Sequence, residues 1–307
     1  MNYFTNAKPY NSLNEYYKRK YGKKVSKIAL NANFTCPNRD GTKGYGGCTF
    51  CQGGSGEYEN IPLEDQFNIV KEIIDNKWPD SLYMPYFQAY SNTYKPLNEL
   101  KKIYEEAINL AKDRIAGIAI ATRADSISDD VIEYLGKLNK KIPVSIELGL
   151  QTSNQNTANL INRCMTNEEF IITVNKLRKH NIEIIAHIIN GLPGETIADN
   201  LNTIDFINKL DIQGIKIHSL LLLNKTKMYQ EYKEKPFHIL SLDEYVEIVS
   251  KEITHLRDDI IIHRLQADAK LDDLIEPKWT RKKFVVMNDI DKYLRNNNLY
   301  QGKFYIK

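Results

Sequence analysis

The sequence predicts an α/β protein whose parallel strands form a partial barrel of (β/α)6 type, followed by a C-terminal extension. Short β-branched runs alternate with amphipathic helical patterns from residue 25 onward. The predicted strands are apolar almost throughout, as in residues 183–189, which fits a sheet buried on both faces. No G-x-G-x-x-G follows the first strand, which weakens the alternative of an open, doubly wound dinucleotide-binding sheet.

Seven runs have the strand pattern, and helical apolar spacing separates them. They span residues 25–32, 83–90, 115–122, 144–150, 182–189, 215–223 and 260–265. Thr166 with Glu169, and Ser241 with Glu244, are spaced as capping boxes, and Ser128 is predicted to cap the helix after the third strand. Because parallel β/α units place their sites at the carboxyl ends of the strands, the residues that follow each strand are the site candidates.

Residues 36–51, the cysteine loop, read C-P-N-R-D-G-T-K-G-Y-G-G-C-T-F-C and contain three of the four cysteines, Cys36, Cys48 and Cys51. Thiolates are soft ligands that suit iron-sulfur clusters and zinc. A structural zinc site closes with four protein ligands, whereas a [4Fe-4S] cluster held by three cysteines leaves one iron open. An open iron is able to bind a substrate or cofactor.

Zinc remains an alternative on spacing alone, with Cys164, His187 or His263 as the fourth ligand. The pattern lacks the paired C-x2-C units of zinc ribbons. Four cysteines in 307 residues, without an apolar signal segment at the N-terminus, predict a cytoplasmic protein rather than a disulfide framework. No apolar run approaches the ~18 residues that span a bilayer, so no membrane association is expected.

The C-x11-C-x2-C spacing, together with E-L-G-L-Q at residues 147–151, resembles the radical S-adenosylmethionine (SAM) enzymes. It is most similar to a bacterial short-form group close to the radical SAM domain of the Elongator catalytic subunit, over about residues 3 to 290. The resemblance implies a radical SAM partial barrel in which Cys36, Cys48 and Cys51 hold a [4Fe-4S] cluster. It also implies SAM on the open iron, an electron donor such as flavodoxin or ferredoxin, and reductive cleavage of SAM to methionine and a 5'-deoxyadenosyl radical.

The same resemblance implies roles for residues at the other strand ends. By this resemblance, Q-A-Y-S-N-T at residues 88–93 contacts the methionyl amino group of SAM. Arg163 pairs with the methionyl carboxylate, and G-L-P-G-E at residues 191–195 lies near the adenine. The implied catalytic residues, facing the SAM ribose or the substrate, are Glu147 and Gln151. The implied cofactor-binding residues are Gln88, Tyr90, Ser91, Asn92, Thr122, Arg123, Glu147, Gln151, Arg163, Gly191 and Pro193.

Structural alternatives stand beside several of these roles. Residues 88–93 also fit an ordinary polar turn, Arg123 also fits a pair with Asp125, and Glu147 also fits a salt bridge inside the barrel. At residues 164 and 165 a Cys-Met pair replaces the Gly-His of the family pattern. The role of that histidine in relatives is therefore not carried over.

The resemblance implies tRNA as the substrate, modified at a wobble-uridine side chain of the carboxymethylaminomethyl type. The net charge of +3 excludes a polycation, but two local clusters fit an RNA footprint: one between Lys18 and Lys24, the other around Trp279. A radical SAM enzyme on a small metabolite and a zinc-stabilised nucleic-acid adaptor remain alternatives. The predicted division is a basic and aromatic segment at 1–24, the barrel at 25–271 and the extension at 272–307. No oligomeric state is predicted.

Overall fold

The computed structural model describes residue 4, residues 8–53, residue 58 and residues 60–306. The strands in these residues are β1 (Val25–Leu30), β2 (Leu82–Phe87), β3 (Ile118–Thr122), β4 (Val144–Gln151), β5 (Glu183–Asn190), β6 (Gly214–Ser219), β7 (Leu222–Leu223), β8 (Ile261–Arg264) and β9 (Leu274–Glu276). The α-helices are α1 (Leu13–Tyr21), α2 (Leu63–Lys77), α3 (Leu97–Ala111), α4 (Asp129–Asn139), α5 (Gln155–Leu160), α6 (Asn167–Arg178), α7 (Ile197–Asn208), α8 (Lys227–Glu234), α9 (Leu242–His255) and α10 (Lys283–Asn296).

Seven parallel strands form one curled half-barrel in the order β1-β2-β3-β4-β5-β6-β8. The predicted parallel β/α architecture is therefore confirmed, including the seventh strand. The predicted strand at residues 215–223 was too long, because the chain leaves the sheet after Ser219. Leu222 and Leu223 form the separate strand β7, which pairs antiparallel with β9.

The two faces of the sheet differ in chemistry. Outward-facing side chains such as Ile28, Ile146 and Leu148 are fully buried beneath the helices. In the barrel interior, small and aromatic residues near the amino ends give way to charged residues in the middle of the strands. The outer face thus supplies the apolar core, and the inner face positions polar groups under the carboxyl edge.

Helix α1 closes the amino end of the barrel. Tyr17 is buried, and its hydroxyl lies against Met84 of β2. The Tyr16 hydroxyl donates to the carboxylate of Glu183 at the start of β5. This segment was predicted to form a basic and aromatic surface that binds RNA, but Tyr16 and Tyr17 pack against the amino end of the barrel instead.

The two predicted capping boxes are confirmed at the starts of α6 and α9, at Thr166 and Ser241. Ser128 occupies the predicted N-cap of α4, but its side chain makes no cap hydrogen bond, because its hydroxyl donates to the carboxylate of Asp130. The helices found within the described part of the chain are all too short or too polar to cross a membrane. Residues 1–3, 5–7 and 307 of the predicted terminal segments lie outside the described residues, and the domain division stays a prediction.

Candidate active site

The cysteine loop lies at the carboxyl edge of the sheet, where backbone hydrogen bonds tie it to other strand ends. The carbonyl of Thr35, just before the loop, accepts from the N–H of Ser91 at 3.1 Å. The Thr49 N–H donates to the Ile161 carbonyl at 3.0 Å, and the Met228 N–H donates to the Thr49 carbonyl at 2.9 Å. The loop is therefore fixed by the segments that follow β2, β4 and β7.

The long interval between the first two cysteines folds back on itself around Asn38. The side-chain Nδ2 of Asn38 donates to the Asn162 backbone carbonyl at 2.6 Å, and the backbone carbonyl of Asn38 accepts from the Gly47 N–H at 2.7 Å. A Cβ added at Gly44 would lie 2.3 Å from Asn38 Oδ1, and one at Gly47 would lie 2.9 Å from Arg39 Nε. Gly44 is favoured by this close approach to Asn38, and Gly47 is favoured by its left-handed φ of 82°.

The three loop cysteines interact electrostatically with one another. Burial raises the pKa of the Cys48 thiol to about 12, and the neighbouring Cys51 and Cys36 act in the same direction. The guanidinium of Arg123 opposes this shift. A thiol with a raised pKa is protonated and is a poor nucleophile, and a bound metal would supply the positive charge that stabilises its thiolate.

Cys164 lies beside the cysteine loop, 3.0 Å from the position of a Cβ at Gly44. Its Sγ donates to Asn162 Oδ1, and its φ of 52° is a left-handed conformation. The other proposed zinc ligands, His187 and His263, lie inside the barrel against Glu147 and Gly214. No group of three or more His, Cys, Asp or Glu side chains in the described ranges is arranged around a single metal ion.

In the polar cluster after β2, residues 88–93, some polar atoms bond the protein and others have no hydrogen-bond partner in the described structure. Asn92 is fully buried, and its Nδ2 donates to the Ala121 carbonyl at 2.7 Å. Its Oδ1 and the Ser91 hydroxyl are buried without a hydrogen-bond partner in the described structure. Tyr90 extends its hydroxyl toward Gly53, just beyond the third cysteine, and Gln88 at the strand end is half-buried. This edge therefore presents buried oxygens that lack donors.

Arg123 connects the end of β3 to the segment after α5. It forms two 2.8 Å bonds to the carboxylate of Asp125, and its remaining guanidinium nitrogen donates to the Arg163 carbonyl at 2.8 Å. The pairing with Asp125 was one of the two predicted alternatives. Thr122, one position earlier, shares a 2.7 Å hydrogen bond with Thr93.

Arg163 is a fully buried structural residue. Its guanidinium donates to the backbone carbonyls of Leu150, Thr152 and Met165 and to the side chains of Gln155 and Asn167. Since these contacts use the donors of the guanidinium, they do not favour the predicted contact with the methionyl carboxylate.

Glu147 is at the centre of a charged network inside the barrel. Its side chain is 0% exposed and accepts from Lys27 and Lys216, each at 2.5 Å, and from the Tyr86 hydroxyl at 2.6 Å. His187 Nε2 lies 2.9 Å from the same carboxylate. The lysines hold the pKa of Glu147 well below its usual value against the effect of burial, so the carboxylate is ionised. We call these five residues the Glu147 network. The sequence left a salt bridge inside the barrel as the alternative to a catalytic role for Glu147, and Glu147 does form salt bridges with Lys27 and Lys216.

Gln151 ends β4 at a bulge, with a φ of 67°. Its side-chain nitrogen lies 2.7 Å from where a Cβ at Gly149 would be, so the amide folds back over the barrel mouth. A hydrogen-bond partner for this amide was not found in the described residues. Gln151 is therefore placed to contact a molecule bound in the mouth.

The turn after β5 contains Gly191 and Pro193 and packs against β4. Gly191 has a φ of 90°, and a Cβ added there would lie 3.1 Å from Leu240 Cδ1. The Thr152 hydroxyl donates to Glu195 at 2.5 Å. Burial raises the pKa of Glu195 to about 7 despite this bond.

Family models match most of this chain. The model described as Radical SAM superfamily matches residues 36–207, which include the cysteine loop and the strand ends through β5, and the Radical_SAM C-terminal domain matches residues 212–296. The chain belongs to the radical SAM superfamily. Enzymes of this superfamily use a [4Fe-4S] cluster and SAM, and this chain is accordingly a radical SAM enzyme.

Two full-length radical SAM relatives are similar along nearly the whole chain. YtqA of Bacillus subtilis (strain 168) is 42% identical over 307 residues, which cover 99% of this chain and 95% of YtqA. YhcC of Escherichia coli (strain K12) is 32% identical over 289 residues, covering 92% of this chain and 91% of YhcC.

Two solved structures share the fold of this chain. Elp3 of Methanocaldococcus infernus, in a form with residues 1–46 deleted, matches with a TM-score of 0.66 at 17% identity, covering 91% of this chain. The match covers 64% of that Elp3 chain. Methylornithine synthase (PylB) matches with a TM-score of 0.52 at 12% identity, covering 94% of this chain and 87% of PylB. At these identities the matches establish a shared fold.

The residues around the cysteines fit a radical SAM cluster. Asn38 Nδ2 lies 3.6 Å from Cys48 Sγ, and the Gly53 N–H donates to Cys51 Sγ at 3.4 Å. Hydrogen bonds to ligand sulfurs are one of the ways in which proteins tune iron-sulfur clusters. Three thiols, sulfur-directed donors and the nearby Arg123 charge thus form a donor set suited to a cluster.

The two predicted basic clusters lie at opposite ends of the barrel. Lys24 precedes β1 and, with Lys77, stacks on Trp78 at the amino end, away from the radical SAM site. Trp279 shares a cleft with Gly191 at the carboxyl end, but its ring packs on Tyr245 and its Nε1 donates to the Leu240 carbonyl. Trp279 is therefore structural, while the basic residues around it lie near the active-site end.

Proposed function

We propose that this radical SAM enzyme modifies the side chain of a wobble uridine in tRNA, with Cys36, Cys48 and Cys51 holding the cluster. The observation that supports the enzymatic part is the position of the three thiols in one loop at the carboxyl edge of the barrel, near enough to act on one another electrostatically, with hydrogen-bond donors directed at two sulfurs. Cys36, Cys48 and Cys51 would hold the cluster, which would pass one electron from a donor such as flavodoxin or ferredoxin to SAM, giving methionine and the hydrogen-abstracting 5'-deoxyadenosyl radical.

The protein groups around the mouth are suited to orient SAM. The buried oxygens Ser91 Oγ and Asn92 Oδ1 lack donors among the described residues, and an amino group would supply them. This supports a methionyl amino contact at the segment that contains Gln88 and Tyr90. Gln151 would bind from the β4 side, and the turn at Gly191 and Pro193 allows close approach of a flat ring from the β5 side.

The tRNA substrate is supported by likeness to relatives and by charge. A protein named tRNA-2-methylthio-N(6)-dimethylallyladenosine synthase, from Thermotoga petrophila, is 26% identical over 197 residues, covering 61% of this chain and 43% of that protein. Lys278, Arg281 and Lys282 are exposed beside the carboxyl end of the barrel, where they would meet RNA phosphates. A carboxymethylaminomethyl-type uridine is the proposed target.

The test is an anaerobic reaction of the reconstituted enzyme with SAM, dithionite and bulk bacterial tRNA, followed by mass spectrometry of the digested nucleosides. We expect a mass change confined to one modified wobble uridine, and gel-shift binding of tRNA that weakens with added salt. Deoxyadenosine formation without any change in tRNA would favour a small-metabolite substrate. A colourless zinc protein that binds tRNA would favour the adaptor alternative.

A further inference from the structure

The inside of the barrel contains more cationic groups than anionic ones. In the Glu147 network, Lys27 and Lys216 share a single carboxylate. Arg264 at the end of β8 pairs with Asp268 at 3.5 Å, but Lys283 pairs with the same carboxylate, and the positive charge of Arg264 still lowers the pKa of Lys216. In the described residues the middle of the barrel therefore has two lysines for one carboxylate, and the pKa of Lys216 is lowered to about 7.

The two lysines also have hydrogen-bond donors in excess. An ammonium group has three N–H donors and no acceptor. In the described structure Lys27 has one hydrogen-bond acceptor, Glu147 Oε1, and Lys216 has two, Glu147 Oε2 and the Tyr86 hydroxyl at 3.0 Å. Three ammonium N–H groups consequently remain without an acceptor among the described residues.

Two neighbouring histidines add unused polar atoms. The Nε2 of His218 and the Nδ1 of His263 are buried without a hydrogen-bond partner in the part of the chain that the structure describes. The His218 ring lies 5.4 Å from that of His187, a member of the Glu147 network. Buried polar atoms normally have partners, so these two nitrogens are available to a polar group bound in the barrel.

The network is open toward the carboxyl edge. Along β1, Ala29 is exposed and lies one step above Lys27 on the same face of the strand. Along β4, half-buried Gly149 stands in the same relation to Glu147. The network is accessible from the β1 side, where the Lys27 side chain is 19% exposed, while the Gln151 amide lies over Gly149 on the β4 side. The network thus forms the floor of the barrel mouth.

We propose that Lys27 and Lys216 bind an anionic group of the substrate, a carboxylate, at the floor of the barrel mouth. Glu147 holds the two ammonium groups at the correct spacing, and the incoming carboxylate accepts their free N–H groups. This inference rests on the proposed function, because it assigns the carboxylate of a carboxymethyl-bearing uridine to this floor. A free carboxylate has the same chemistry and would bind in the same place.

Electrostatics agree with the geometry. Burial lowers the pKa of Lys216, Lys27 lowers it further, and Glu147 opposes both. A second anion would stabilise the charged lysine, because it would balance the charge that Lys27 adds.

The experiment compares a carboxylate with its neutral isostere on the reconstituted, SAM-loaded enzyme. The probes are 5-carboxymethyluridine, 5-carbamoylmethyluridine and propionate, measured by calorimetric titration and, for propionate, by saturation-transfer NMR. The variants are Lys27→Gln, which keeps a donor to Glu147, and Lys27→Arg, which keeps the charge. Lys20→Gln is the matched control, because Lys20 pairs with Glu183 outside the mouth at 3.0 Å.

We expect the wild type to bind the acid about tenfold more tightly than the amide, in keeping with about 1.4 kcal/mol for one charge-assisted hydrogen bond. Lys27→Gln should weaken binding of the acid about tenfold and leave binding of the amide unchanged. Lys27→Arg and Lys20→Gln should retain the preference for the acid over the amide. If Lys27→Gln does not fold, the preference of the wild type for the acid decides the proposal.

The outcomes separate this site from the function it rests on. Propionate binding that Lys27→Gln removes, without binding of either nucleoside, supports the anion site and counts against the uridine substrate. Equal wild-type affinities for acid and amide, or propionate binding that Lys27→Gln leaves intact, overturn the anion site whichever substrate the enzyme uses.

Discussion

The amide Nδ2 of Asn38 lies 2.6 Å from the carbonyl oxygen of Asn162, which joins the cysteine loop to the segment after α5. The same nitrogen lies 3.6 Å from Cys48 Sγ. Asn162 returns the contact, since its Nδ2 donates to the Gly47 carbonyl at 2.8 Å. The two asparagines thus fix the unusually long interval between the first two cysteines, and one of them also reaches a proposed ligand sulfur.

Substituting Asn38→Ala should loosen the loop and weaken cluster retention. The Asn162 carbonyl loses its donor, at a cost of about 1 to 3 kcal/mol, and a donor to Cys48 Sγ is removed, which should lower the reduction potential of the cluster. Iron retention after anaerobic gel filtration and a redox titration measure both effects. Asn139→Ala is the matched control, because Asn139 bonds backbone groups on the far side of α4. Equal iron loss in both variants would contradict the assigned role.

Substituting Cys164→Gly should leave iron content unchanged and preserve or raise stability. The left-handed φ of 52° costs a residue with a Cβ about 1 to 2 kcal/mol relative to glycine, which offsets the lost contact of Sγ with Asn162. Metal analysis and thermal unfolding measure the two effects. Loss of iron, or loss of bound zinc, would show that Cys164 is a ligand after all.

Substituting Arg163→Lys should destabilise the protein by about 3 kcal/mol or more. A lysine cannot reproduce the fork that bonds three backbone carbonyls and two side chains in a buried site. Urea unfolding gives the free energy. Arg178→Lys, at a more exposed arginine that bonds Asp211 and the Ile182 carbonyl, should change it by less than about 1 kcal/mol. Similar small effects for both would argue against a structural role for Arg163.

Substituting Glu252→Gln should stabilise the protein increasingly as pH rises. Burial raises the pKa of Glu252 from 4.5 to about 8, Glu195 acts in the same direction, and the Asn190 amide opposes them. The wild-type carboxyl contributes its full stability below pH 4.5 and loses it as pH rises through about 8. Glutamine does not titrate, so the difference in unfolding free energy should grow by on the order of 2 kcal/mol between pH 5 and pH 8. A difference independent of pH would show that Glu252 ionises normally in the folded protein.

The barrel and its edge could be predicted from the sequence because their signals are local. Apolar runs separated by helical spacing identified the seven parallel strands, and the cysteine spacing identified the loop at the end of β1. The capping boxes at Thr166 and Ser241 are equally local, since both partners lie within one turn.

The charged floor could not be predicted, because its members meet only after the barrel closes. Lys27, Glu147 and Lys216 come from β1, β4 and β6, and nothing in the spacing of one predicts the others. Lys216 had a usable signal: a lysine between Ile215 and Ile217 in an apolar strand needs a buried partner, as Glu147 does. The basic residues of α1 suggested an RNA-binding surface. In the structure the tyrosines between them face the barrel, because Tyr17 is buried and Tyr16 bonds Glu183.

The most direct test of the account is anaerobic reconstitution, followed by iron, sulfide and zinc analysis and an assay for dithionite-dependent 5'-deoxyadenosine formation from SAM. We predict about four irons per chain and deoxyadenosine formation, both lost on substituting Cys36, Cys48 or Cys51 by alanine and both retained in Cys164→Ala. Zinc without iron, or a cluster that never cleaves SAM, would contradict the account.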